Sequence, residues 1–138
     1  MRGGILMDES AKPFIKQVIV MRHDLKMRRG KQIAQGAHAS MSFLTRRLQQ
    51  RGILDINDFS DNERDWILGS FAKVCCRCDS EEQLMEIYQK AIQMNLEVHL
   101  ITDSGKTEFH NVPTRTCLAI GPDDATKIDP ITGHLDLL

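Results

Sequence analysis

A chain of 138 residues, 41% hydrophobic and 27% charged, suits one folded domain with its own core and excludes a two-domain protein, a fibre or a disordered polymer. Its net charge of −1 hides an asymmetry: residues 22–51 carry eight basic side chains against the single acid Asp24, leaving the rest of the chain at −8. No apolar run reaches the roughly 18 residues of a membrane span, and the apolar stretch near the N-terminus is too short for a secretory signal, so no membrane partner and a cytoplasmic location are expected.

Residues 1–13, ending at Pro13, are expected to be a flexible leader to a domain spanning 14–138. Gln17-Val18-Ile19-Val20-Met21 is a β-branched run, as in a strand buried on both faces. A basic loop leads to Gly30, and a helix is predicted from about Lys31 to Gln50. Its apolar stripe is Ala34, Ala37, Met41, Leu44 and Leu48, with Gly52 as its stop.

Ser60-Asp61-Asn62-Glu63 has the form of a capping box and opens a short helix closed near Gly69. A second strand is predicted over Phe71–Cys78. Ser80-Glu81-Glu82-Gln83 then opens a helix with the stripe Leu84, Ile87, Tyr88, Ala91 and Met94, stopping near Asn95. Further strands are expected over Leu96–Thr102 and Thr116–Ile120. Pro122-Asp123-Asp124 reads as the start of a last short helix. This alternation predicts a single-domain α/β three-layer sandwich, a mixed four-stranded sheet with helices on both faces. The first crossovers are parallel, and the last pair, joined by a stretch without helical pattern, is antiparallel.

The basic segment is an expected footprint for a phosphate backbone, with a solvated helix face as the plain alternative. Aromatic residues are 5% of the chain, so stacking platforms for bases do not dominate. Cys75, Cys76, Cys78 and Cys117 read as small buried hydrophobes in a reducing compartment, since adjacent strand residues point to opposite faces. The five histidines form no close metal-binding pair, and neither a nucleophile elbow nor a phosphate loop is present, so no metal or cofactor is expected.

Two clusters could carry chemistry. Lys31, Gln35 and His38 stand at helical spacing beside the apolar stripe, where side chains reach either a cleft or plain solvent. The helix N-terminus near Gly30 adds free N–H groups behind a run of arginines. Asp103-Ser104-Gly105-Lys106-Thr107 follows the carboxyl end of the third strand, the usual ligand edge of an open α/β sheet, although an Asp-Ser-Gly turn is common. Thr114 and Thr116 add hydroxyls. This set suits polarising a carbonyl and a water without a cofactor.

At these residues the chain resembles the type-II peptidyl-tRNA hydrolase family. The likeness runs from about Lys16 to Leu138 in five ordered blocks. They are Gln17 to Met27, Gly30 to Ala39, Leu100 to Thr107, Leu118 to Pro122 and Ile131 to Leu135. The resemblance implies hydrolysis of the ester between a peptide and tRNA, without a metal, releasing tRNA for recycling, and often a homodimer. It implies Lys31, Gln35, His38, Asp103, Thr107 and Thr116 as the catalytic set.

Asp103 is then expected to orient or deprotonate water, and Lys31 to stabilise the oxyanion or hold the terminal phosphate. The threonines would position water or ester, and Gln35 and His38 would orient neighbours. Arg22, Lys26, Arg28, Arg29, Arg46 and Arg47 are expected to contact RNA phosphates. The chain departs from the family at Arg28, where glycine is usual, at His23, usually a small polar residue, and in a loop from Thr107 to Thr116 longer by about one residue. A family member with altered chemistry that holds tRNA or a protein partner is the alternative.

Overall fold

A computed structural model describes residues 12–138, so most of the expected 1–13 leader lies outside the described residues. The strands are β1 (Ile15–Arg22), β2 (Lys73–Cys78), β3 (Val98–Asp103) and β4 (Thr114–Asp124). The helices are α1 (Arg29–Arg51), α2 (Asp61–Leu68), α3 (Glu81–Gln93) and α4 (Ala125–Thr132), with a 3-10 turn at Ile56–Asp58. The four strands form one sheet in the order β2-β1-β4-β3. β1 is parallel to β2, and β4 is antiparallel to both β1 and β3, so the sheet is mixed as expected.

The sheet's two faces follow from strand alternation. Val18, Val20, Cys76, Cys78, Leu118 and Ile120 point to one face and are covered by Leu84, Ile87 and Ala91 of α3 and Ile128 and Ile131 of α4. Ile19, Met21, Ile101, Cys117 and Ala119 point to the other, against Ala39 of α1. Phe43 of α1 and Trp66 of α2 meet edge to face, 5.8 Å between centroids, and close the end of that layer with Ile15 and Phe59. Helices on both faces make the three-layer sandwich.

Both capping serines do their expected work. Ser60 Oγ accepts from Glu63 N–H while Glu63 returns a bond to the Ser60 N–H. Ser80 Oγ accepts from Gln83 N–H, but Gln83 reaches back to the Asp79 N–H, one residue earlier.

Several boundaries and one face correct the sequence reading. The fully buried face of α1 is Gln35, Ala39, Ser42 and Phe43; of the expected stripe Ala34, Ala37, Met41, Leu44 and Leu48, Leu44 alone packs, partly buried, on the cluster of Phe43 and Trp66. Met41 is 56% exposed and Leu48 45%. α1 leans over β4 and β3, so its apolar flank overhangs an open groove on β1 and β2, lined by Ile19, Met21, Ile33, Met41, Phe71 and Leu138. Phe71 precedes β2 in a turn with φ 57°, its N–H bonded to Trp66 O. β4 runs on through Pro122, and the last helix begins at Ala125 with Asp124 as its cap. Proline fits there because the ladder with β1 shifts register between Lys16 and Val18, where a missing N–H breaks no pairing.

Candidate active site

β1 and β3 run in the same direction, so their carboxyl ends and the N-terminus of α1 share one rim. Arg22 ties that rim together. Its guanidinium donates to both carboxylate oxygens of Asp24, at 3.1 and 2.7 Å, and to Arg115 O at 3.0 Å. The Asp24 hydrogen bond holds Arg22 above its ordinary pKa against the opposing effect of burial.

Five of the six residues expected to carry chemistry meet in one network. Lys31 Nζ, on the first turns of α1, donates to Asp103 Oδ1 and to Thr107 Oγ1, both at 2.9 Å. Gln35, one turn on, donates to the same Asp103 oxygen at 3.2 Å. Its own carbonyl accepts the hydroxyl of Thr116 at 2.5 Å. The other Asp103 oxygen accepts the N–H of Gly105 at 2.8 Å. Lys31 and Asp103 are largely shielded from solvent, with 14% and 11% of their side chains exposed. Thr116 is fully buried, and its hydroxyl is spent on Gln35. His38 stands on the same side of α1, roughly 10 Å along the axis from Lys31, exposed to solvent.

Three donors on one carboxylate determine its acidity. The Lys31 hydrogen bond holds Asp103 below the usual carboxylate range, with Gly105 N–H and Gln35 helping, against desolvation. Asp103 is therefore ionised at neutral pH. Gly105 makes this possible: it sits at φ 83°, and a Cβ there would lie 2.2 Å from Val112 O. Beneath the network, Cys117 donates its thiol to Gln35 O at 3.4 Å, and burial pushes that thiol up to about 12. Among the described residues no group of three or more His, Cys, Asp or Glu is arranged to hold a metal ion.

The expected phosphate contacts divide. Lys26, Arg28, Arg29 and Arg46 are exposed, Arg28 with a long 3.8 Å approach to Glu108. Arg28 is the N-cap of α1 without a side-chain cap bond, and no acid stands in the first turn, so the positive helix end is uncompensated. Arg47 is engaged instead. It donates to Glu63 at 3.0 and 2.5 Å and to Glu97 at 3.0 Å, and lies over the rings of Phe43 and Phe59. Glu97 also lies 2.5 Å from His99. Beyond Arg47 this seam is not legible in the sequence, because pairing across 16 and 50 residues leaves no local pattern. Lys106, exposed beside Thr107, adds a cation to the rim.

The family model for peptidyl-tRNA hydrolase PTH2 matches residues 15–138. The chain is 40% identical over 124 residues to the peptidyl-tRNA hydrolase of Methanothermobacter thermautotrophicus, covering 90% of this chain and 100% of that one. It is 38% identical over 125 residues to the peptidyl-tRNA hydrolase of Methanocaldococcus jannaschii, covering 90% and 100%. It is also 38% identical over 123 residues to that of Methanopyrus kandleri, covering 89% and 97%. With a match of this extent, and with Lys31, Gln35, Asp103, Thr107 and Thr116 gathered at one rim, the chain belongs to the peptidyl-tRNA hydrolase PTH2 family.

Proposed function

We propose that this chain hydrolyses the ester joining a peptidyl group to the terminal ribose of tRNA, with Lys31 and Asp103 at the centre. The observation that carries this reading is the Lys31–Asp103–Thr107 cluster at a rim bordered by exposed cations. The ester is activated, so orienting water and stabilising an oxyanion suffice. A lysine ammonium has three hydrogens, and two are spent on Asp103 and Thr107, leaving one for the developing oxyanion. Asp103, ionised and already accepting three bonds, is a weak base and a good orienting acceptor for the attacking water. As the water oxygen bonds to the carbonyl carbon, the carbon–ribose oxygen bond breaks. The proton lost by the water ends on the ribose oxygen.

Thr107 keeps its own hydroxyl hydrogen for water or substrate, while Thr116 acts through Gln35. His38, further along the helix, faces the bound RNA or peptide. Phosphates run along α1 over Lys26, Arg28, Arg29 and Arg46, with Lys106 flanking. Arg46 lies about 60° round the helix from Lys31, on the same general side. The setting is the cytoplasm, where translation supplies this ester, and the chemistry needs no metal.

A second copy of the chain covers the open groove between α1 and β2, where Ile33 is 66% and Phe71 49% exposed. Met41→Asp in that groove should convert a dimer to a monomer in sedimentation equilibrium; a monomeric wild type at high concentration rejects the pairing. The function is tested by incubating the protein with an N-blocked aminoacyl-tRNA. Intact tRNA and free N-acyl amino acid are expected, and a folded protein that leaves the ester unbroken contradicts the reading.

A further inference from the structure

We infer that Phe109 is a positioning residue for the Lys31 ammonium. The inference rests on the hydrolase reading for its kinetics, but not for its geometry. The loop between β3 and β4 carries Phe109 back against the rim, with the Lys31 Nζ 5.9 Å from the ring centroid. The ring is half-buried and packs on the cluster that contains Met27, Ile101 and Cys117.

The loop fixes the ring. Phe109 N–H and Asn111 N–H both donate to Gly105 O, at 3.2 and 2.9 Å, and Val112 N–H donates to Phe109 O at 2.8 Å. Gly105 thus uses its N–H to hold Asp103 and its carbonyl to hold the Phe109 turn, so carboxylate and ring are placed by one residue. Glu108 approaches Arg28 at 3.8 Å, a second tie between this loop and the start of α1.

Lys31 therefore meets Asp103, Thr107 and an aromatic ring. The ring attracts the cation and denies that flank to water. With two hydrogens bonded and one flank walled, the third hydrogen points to the open side of the rim, where the oxyanion forms. Phe109 touches no reacting atom in this account; it limits where Lys31 can point its free hydrogen.

The test compares Phe109→Ala, Phe109→Leu and Phe109→Tyr in single-turnover hydrolysis and in NMR spectra of the 15N-labelled lysine ammonium, assigned with Lys31→Arg. The alanine variant should lose about tenfold in kcat with KM within about twofold. Tyrosine should restore the rate and leucine should fall between. A slowly exchanging Lys31 ammonium signal should survive in wild type and Phe109→Tyr and vanish in Phe109→Ala. Unchanged kcat in Phe109→Ala, a loss confined to KM, or equal rates for leucine and tyrosine overturns the inference. If the alanine variant does not fold, the leucine–tyrosine pair decides. If the wild type releases no tRNA, the hydrolase reading fails, and the ammonium signal still tests Phe109 by itself.

Discussion

Asp103 holds one oxygen against Lys31 and Gln35 and the other against Gly105 N–H, and accepting three donors weakens it as a base. The sign of its lowered pKa matters for the rate. The ionised form is complete above the ordinary value of 3.8 and is lost only as pH falls through the lower value in the folded protein. The rate should therefore show no acid limb between about pH 5 and 7; a limb in that range would contradict Asp103 as the orienting acceptor. Thr116 is legible in sequence as a hydroxyl near the fourth strand and, through the family resemblance, as a member of the catalytic set. Full burial makes it a support for Gln35, which the sequence does not reveal because the pairing spans 81 residues. Thr116→Val keeps the shape and removes the donor, leaving the Gln35 carbonyl buried without a partner. It should cost about 1–3 kcal/mol of stability in urea unfolding and lower kcat more than it raises KM. A variant as stable and active as wild type would remove the relay.

Most elements were readable because capping serines and β-branched runs act locally: β1, α2 and α3 stand within about two residues of expectation. The face of α1 was not. Its inward side carries Gln35 and Ser42, each held by a partner, while Met41 and Leu48 point outward, so hydrophobicity alone chose the wrong side. Arg46 and Arg47, adjacent and chemically alike in sequence, separate for the same reason: one faces solvent and the other joins α1 to α2 and to Glu97, just before β3. Arg47→Ala leaves Glu63 largely buried without its cation and should cost about 3 kcal/mol in urea unfolding. Arg46→Ala should leave stability unchanged and weaken tRNA binding; the reverse pattern contradicts the division. Glu97, held low first by its bond to His99, stabilises this seam fully above its ordinary value of 4.5. That contribution is lost as pH falls through the lowered value, so thermal unfolding should show Arg47→Ala and wild type converging in acid.

At the scale of the molecule, the sandwich was legible from the alternation of elements, and the sheet's parallel strands bring Asp103 and the start of α1 to one rim. The charge asymmetry seen in sequence becomes a cationic border of Lys26, Arg28 and Arg29 at that rim, to which Lys106 from outside the basic segment adds. Binding of tRNA should therefore weaken steeply with salt, and Arg28→Ala with Arg29→Ala should flatten the slope of log affinity against log salt by about 2. An unchanged slope removes these residues from the RNA path. The measurement that bears most directly on the whole account is single-turnover release of tRNA from an N-blocked aminoacyl-tRNA by wild type and Asp103→Asn, with a chelator present and binding measured in parallel. Rapid release by wild type is expected, with a loss of at least about a hundredfold in the variant at nearly unchanged affinity. Equal losses of rate and affinity, or full activity without the carboxylate, would contradict this expectation.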